Sequence, residues 1–333
     1  MTIQKRVAVT LPASPFVKDT IERVQWAEAN GYSDAWFGDG GAPDALTTAA
    51  ALGGVTRTIR IGVAVTPVYT RTPAVLAATA NALGQILPGR FVMGLGSSSQ
   101  TMMNGWHGIP LEKPVTRVKN TAIMVRSMLK GEKSDFDLDV LHSHGYRQFP
   151  MQDPPPIYLA ALRPKMIETA TEYGDGVIFN LWPKGALPKM MQHVRIAAER
   201  CGKNPEEIEI VNRAMVCVTD DKQQARDRFR AAFAPYYATP VYNKFLAWAG
   251  YSEAAATINE GWAAKDRAKT SGALSDELID EIAVIGDADE CRARIQSDAE
   301  GGIHTHIIAP IGGDAEEVQR TLEAFKGSVF SFR

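Results

Sequence analysis

Residues 154–180 read PPPIYLAALRPKMIETATEYGDGVIFN. A proline run delivers the chain into a short apolar segment, Ile157–Ala160, that has no polar face. Such a run is what a strand buried on both sides looks like. Pro164 then opens a stretch, Pro164–Tyr173, with polar residues opposite an apolar face, and a second apolar run follows at Gly176–Phe179. Proline at the first helical position keeps its missing N–H out of the helical ladder. Strand, helix and strand in so few residues make a parallel unit with a helical crossover.

The same alternation runs outward in both directions. Strands are expected at Arg6–Thr10, Asp34–Phe37, Arg60–Val65 and Phe91–Leu95 before this unit, and at Glu209–Val218 and His304–Ala309 after it. The first helix shows Val17, Ile21, Val24 and Ala27 at helical spacing and is closed by Gly31. Further helices fit Thr72–Leu87, Pro114–Leu129, Lys189–Cys201 and Ala315–Phe325. Eight strands alternating with helices predict an α/β fold of the (β/α)8 TIM-barrel type, read as a single domain over residues 1–333. A dinucleotide-binding sheet is disfavoured because Gly94-Leu95-Gly96 is followed by Ser99 where the third glycine belongs. Two segments exceed a minimal barrel. Lys130–Pro156 is turn-rich, and Thr219–Asp287 is a helical excursion carrying Tyr236, Tyr237, Tyr242, Trp248, Tyr251 and Trp262. The excursion leaves the seventh strand, so it is expected over the end of the barrel where active sites are built.

Composition narrows the function. The 333 residues are 45% hydrophobic and 22% charged, with 36 Lys and Arg against 38 Asp and Glu. A net charge of −2 excludes a broad nucleic-acid binder. No run approaches a membrane span, and MTIQKRVAVTLPASPF does not read as a signal peptide, so a cytoplasmic protein is expected. The three cysteines, Cys201, Cys217 and Cys291, form no C-x-x-C, which argues against a disulfide framework or a thiolate metal site. His304 and His306 share one face of the eighth strand but begin it, at the end that serves stability, so no metal is expected.

Six phrases in order carry a resemblance. They are AEANGYSDAWFGD (27–39), RIGVAVTPVYTRTPAVLA (60–77), GRFVMGLGSSS (89–99), KPVTRVKNTAIMVRSMLKGE (113–132), residues 154–180, and GDADECRARIQSDAEGGIHTHIIAPIG (286–312). Together the chain resembles the bacterial luciferase-like superfamily, and within it the coenzyme F420 (deazaflavin)-dependent oxidoreductases such as methylenetetrahydromethanopterin reductase. The resemblance implies hydride transfer between the deazaflavin and a small organic substrate, by a homodimer. The alternatives are an FMN-dependent monooxygenase and a non-catalytic flavin-binding protein.

The resemblance and the positions of residues at strand ends together assign the site. Asp39 ends the second strand, pointing into the mouth beside the ring, and His107 is the titratable group placed for proton transfer. The bond between Ala64 and Val65 is expected to be a cis peptide in a bulge behind the ring, with Thr66 next to it. Gly96, Ser97 and Ser98 follow strand four, where small residues and hydroxyls admit a ring or a phosphate. Ala160, Ala161, Leu162 and Arg163 precede a helix N-terminus, where free N–H groups bind phosphate. Asn180 closes strand six at the coenzyme, while Thr10, Ser99, Trp182, Tyr236 and Tyr242 are expected to face substrate. Departures are plain. Gly40 stands where the sugar dehydrogenases of the family have a catalytic histidine. Ser99 and Thr10 stand where relatives carry acids, and Leu162 and Arg163 replace the usual glycines.

Overall fold

The structure, a computed structural model, describes residues 3–11 and 14–333. The chain starts with β1 (Arg6–Val9), α1 (Val17–Ala29), β2 (Asp34–Phe37), α2 (Ala45–Gly53) and β3 (Arg60–Val63). Next come β4 (Thr66–Pro67), α3 (Pro73–Ile86), β5 (Phe91–Gly96) and α4 (Pro114–Leu129). A small hairpin follows, β6 (Asp135–Asp137) with β7 (His142–His144), then β8 (Ile157–Ala160), α5 (Pro164–Tyr173), β9 (Gly176–Asn180), α6 (Leu187–Cys201) and β10 (Glu209–Val218). The excursion supplies α7 (Lys222–Tyr237), α8 (Pro240–Trp248), α9 (Ser252–Ala263), α10 (Arg267–Gly272) and α11 (Asp276–Ile282). The chain ends with β11 (Val284–Gly286), α12 (Ala288–Glu300), β12 (Thr305–Pro310) and α13 (Ala315–Glu323).

Parallel pairing runs β1-β2-β3-β5-β8-β9-β10-β12, and β12 pairs back to β1, closing an eight-stranded barrel. No helix among the described residues is long and apolar enough to cross a membrane. The local signals act as sequence rules demand. Thr72 caps α3 ahead of Pro73, Asp287 and Glu290 form a reciprocal capping box on α12, and Gly31 takes φ +79° just past α1.

Four departures from the sequence reading have local causes. The third strand is broken rather than continuous over Arg60–Val65, because the chain bulges at Ala64–Val65, whose peptide bond is cis, before β4 resumes beside β5. Helix α2 is capped by Asp44 and carries an alanine-rich face. The 130–156 segment contains the β6–β7 hairpin. The excursion ends in β11, which extends the sheet beside residues Val216–Val218 of β10 before α12 begins.

The barrel interior is layered. In the middle lie Ala8, Trp36, Val92, Tyr158, Ile178, Val211 and Ile307, one apolar cluster from seven strands. Gly62 makes room for the Trp36 ring, since a Cβ there would fall 2.4 Å from it. Below this layer, toward the strand N-termini, is an ion network. Arg60 donates to Asp34 at 2.6 Å and to Glu209 at 2.6 Å, and Arg6 donates to Asp34 at 3.0 Å. Tyr158 and Thr305 also donate to Glu209. Burial alone would raise the Glu209 carboxyl, but Arg60, Thr305 and Tyr158 hold it at about 2. Replacing Arg60 by Met leaves two buried carboxylates without their shared cation. Urea unfolding at pH 7 is therefore expected to show a loss of about 3–5 kcal/mol, and a loss below ~1 kcal/mol would mean the network is not structural.

On the outer face of β12, His306 is fully buried with both ring nitrogens unpartnered, beside the Phe332 ring at 5.3 Å. Its neighbour His304 accepts from the Ile210 N–H at 3.0 Å. Burial, with Lys5 and His304 adding repulsion, pushes His306 down from 6.5 to about 3. A depressed histidine is neutral in the fold and charged in the unfolded chain, so stability is lost as pH falls from about 6.5 toward 3. Between pH 7.5 and pH 5 this group is expected to remove about 2 kcal/mol from the wild type. His306→Leu is expected to lose that much less over the same interval, measured by denaturant unfolding at both pH values.

Candidate active site

Side chains two residues beyond the middle layer face the same way and form the floor of the barrel mouth at the strand C-termini. On one side, Ala64, Val65 and Ala160 rest partly buried on the interior cluster. Around the rest of the rim stand Thr10, Asn180 and Arg213. This half of the floor is small and apolar for a reason visible in β5. A Cβ on Gly94 would lie 1.8 Å from the Val63 carbonyl oxygen, and one on Gly96 would lie 2.5 Å from Val65 Cγ2. These two glycines admit the broken third strand, so the space at Gly96 is taken by protein.

Asp39 lies past the end of β2 and is paired to Arg71 at 2.5 Å, its side chain 8% exposed. The other arm of Arg71 bonds Asp44. Burial tends to raise the Asp44 carboxyl, but the Thr47 amide and Arg71 together hold it below the usual range. Arg71 therefore fixes the orientation of Asp39 and ties it to the cap of α2. Gly40 is filled by a neighbour, since a Cβ there would meet Met102 Cε at 3.0 Å.

The serine loop is ordered by a π-helical turn, Thr101–Trp106. Ser99 accepts from the Met102 N–H at 3.3 Å, Ser98 takes φ +60° with its hydroxyl 3.3 Å from Met102 Sδ, and Ser97 Oγ lies 3.4 Å from the Ser98 carbonyl. His107 ends this turn, exposed and without a hydrogen-bond partner among the described residues. Thr66 is fully buried, with its hydroxyl unpartnered. At the end of β8, the Ala161 N–H donates to Ile178, while the N–H groups of Leu162 and Arg163 make no hydrogen bond among the described residues. No side chain caps α5, and Arg163 is exposed at its N-cap.

The far wall comes from the excursion. Asn180 donates to the Tyr242 hydroxyl at 2.9 Å, leaving its Oδ1 buried and unpartnered. Tyr242 meets Tyr236 edge to face at 6.0 Å, and Tyr236 is 49% exposed. Tyr237 instead is fully buried and bonds the Leu181 carbonyl. Trp182 is 3% exposed with its Nε1–H donating to Asn212 at 2.8 Å, so it stands behind the wall. Excursion residues such as Phe229, Leu246 and Ile279 form one core with Met215, Cys217, Ala309 and Ile311 of the barrel.

Two residues of this mouth escape a motif search, Arg71 and Arg213. Both carried a signal. Arg71 follows the bulge within the quoted 60–77 phrase, and Arg213 is the only charged residue between Ile210 and Val218, on the same alternate face as Val211.

A closed barrel with a bulged third strand, small residues above it and an excursion after the seventh strand defines a class. The chain belongs to the luciferase-like monooxygenase family, whose family model matches residues 1–305. It is 29% identical over 313 residues to a 5,10-methylenetetrahydromethanopterin reductase of Methanolobus tindarius, covering 92% of this chain and 94% of that one. In fold it is similar to the coenzyme F420-dependent tetrahydromethanopterin reductase of Methanopyrus kandleri, with a TM-score of 0.81, 20% identity and coverage of 96% and 97%. It is also similar to an F420-dependent secondary alcohol dehydrogenase solved with an F420–acetone adduct, with a TM-score of 0.78, 18% identity and coverage of 99% and 100%.

The close fit at Gly96 is testable without any ligand. Gly96→Ala is expected to destabilise the chain by about 1–3 kcal/mol through overpacking. Adding Val65→Ala removes the clashing methyl group and should restore most of that loss in the double variant. Thermal and urea unfolding of the four proteins of the cycle would read it, and additive losses would show that the two sites do not meet.

Proposed function

We propose that the chain is a coenzyme F420-dependent oxidoreductase that moves a hydride between the deazaflavin and a small organic substrate. One observation carries the reading. The small apolar floor at Ala64, Val65 and Ala160 runs directly into the uncapped N-terminus of α5. A flat ring suits the floor, and an anionic tail suits the free N–H groups of Leu162 and Arg163 and the guanidinium of Arg163. The methylenetetrahydromethanopterin reductase that aligns along nearly the whole chain supports the same choice.

When bound, the deazaflavin supplies a two-electron hydride carrier. The residues of this chain do the rest. Ala160 and Ala161 would hold the tail through the backbone, Ser97 and Ser98 would offer hydroxyls to the coenzyme, and Val65 would give the ring an apolar contact. Arg71 holds Asp39 in one orientation at the rim, where that carboxylate would be available to the coenzyme. His107 offers an imidazole nitrogen, free of other bonds, for the proton that accompanies hydride transfer. Tyr236 and Tyr242 present two rings and their hydroxyls to the substrate, with Thr10 farther round the rim, just past β1. The working unit is a homodimer in this reading, on the family resemblance alone.

A fluorescence-quenching titration tests the coenzyme. F420 is expected to bind at least tenfold more tightly than FMN. Tighter FMN binding would move the chain to the monooxygenase branch. Tight F420 binding with no turnover on any donor or acceptor would favour a carrier or storage role.

A further inference from the structure

Arg213 is a cation without a counter-ion at the mouth of the barrel. It lies on β10 two residues past Val211 of the interior cluster, so it faces inward one layer higher. Its partner across the sheet is Asn180 of β9. No carboxylate pairs with it among the described residues, and its recorded side-chain partner is the Met215 thioether, 3.4 Å from Nη1. Burial pulls the guanidinium below its ordinary value, and the nearby tyrosines, Tyr242 and Tyr236, offset this only in part. Arg60, two layers of the same barrel away, shows what the fold does with a guanidinium that serves stability, holding it between Asp34 and Glu209. Arg213 is partly buried, and a cation drawn part-way out of water with no partner is destabilising unless something brings the opposite charge.

Position says which ligand that is. In the ring of eight strands, β10 is the seventh and β3, with its bulge, is the third, so Arg213 looks across the barrel toward Ala64 and Val65. The free N–H groups that suit a coenzyme tail lie elsewhere, at the end of β8. A ring resting on the bulge would turn its open face toward Arg213. Beside the guanidinium are the Tyr236 and Tyr242 rings and the unpartnered Oδ1 of Asn180, an acceptor waiting for an O–H or N–H. A planar guanidinium matches a carboxylate with two parallel hydrogen bonds.

We propose that Arg213 is the specificity-determining residue of the substrate site, and that the substrate it receives is an organic carboxylate. Calling the ligand a substrate rests on the hydride-transfer reading above. The anion site itself does not.

The test uses the full-length protein, wild type, Arg213→Met and Arg213→Lys, with benzoate as probe and benzamide as its neutral counterpart. Binding is read by thermal shift and by competition calorimetry, with and without F420. Benzoate is expected to bind the wild type at least tenfold more tightly than benzamide. Arg213→Met should lose that preference, Arg213→Lys should keep part of it, and F420 affinity should stay within twofold in both variants. Equal binding of benzoate and benzamide, or no benzoate binding at all, would overturn the proposal. So would inorganic phosphate displacing benzoate at equal concentration, or a tenfold loss of F420 affinity in Arg213→Met, which would give Arg213 to the coenzyme. If F420 fails to bind the wild type but the benzoate preference holds and depends on Arg213, the coenzyme reading fails and the carboxylate site stands.

Discussion

Arg60 holds the barrel closed from inside. Its guanidinium bridges Asp34 on β2 and Glu209 on β10, and Glu209 in turn receives Tyr158 of β8 and Thr305 of β12. Arg6 of β1 completes the set through Asp34. Six strands that are distant in sequence thus share one polar network at the end of the barrel where no ligand is expected. Buried ion pairs add little net stability over a well-packed apolar core, because desolvation offsets the attraction. What they impose is register. A one-residue slip of β2, β3 or β10 would turn a charge outward and leave its partner buried alone. With the lower layer set in this way, the residues two and four positions higher are set as well, and those form the mouth.

The layer above explains the depth of the site. Trp36 fills the barrel axis, and it fits only because Gly62 lies against its ring. A large side chain on the axis raises the floor on which Ala64, Val65 and Ala160 rest. Gly94 and Gly96 then make space for the displaced third strand. The glycines of this region therefore act on the protein's own backbone and side chains. That differs from the common expectation that glycines near a site admit a ligand directly, and it gives them a structural role upstream of any ligand.

Much of this architecture was legible before the structure. The eight strands and their order follow from apolar runs alternating with amphipathic stretches, and Asp39, Ala160–Arg163 and Asn180 were found at strand ends because barrel topology puts strand ends at the mouth. The bulge at Ala64–Val65 came from family resemblance, since residues 60–67 alone read as a plain strand. The partners were not legible. That Arg71 holds Asp39 and that Trp182 turns back to Asn212 depend on contacts between segments far apart in sequence. Short elements such as α2 and β11 were hidden for a related reason. They are stabilised by packing on neighbours, and their own residues carry weak periodicity.

Two of the inward arginines, Arg60 and Arg213, express one rule with opposite outcomes. Strand residues of like parity share the barrel lumen, so a charge anywhere in it must be neutralised by whatever else reaches that layer. At the lower layer the chain itself supplies two carboxylates, and the result is a closed, stable floor. The residues in register with Arg213 on the neighbouring strands are Asn180 and Ile307, neither of which can carry a negative charge. Tyrosines of the excursion cover the cation without neutralising it. An interior that pairs its cations at one end and leaves one unpaired at the other has an incomplete layer, and the incomplete layer is the one at the strand C-termini, near the half-exposed Tyr236. The fold thus puts the missing charge at the C-terminal ends of the strands, the end at which barrels build their sites.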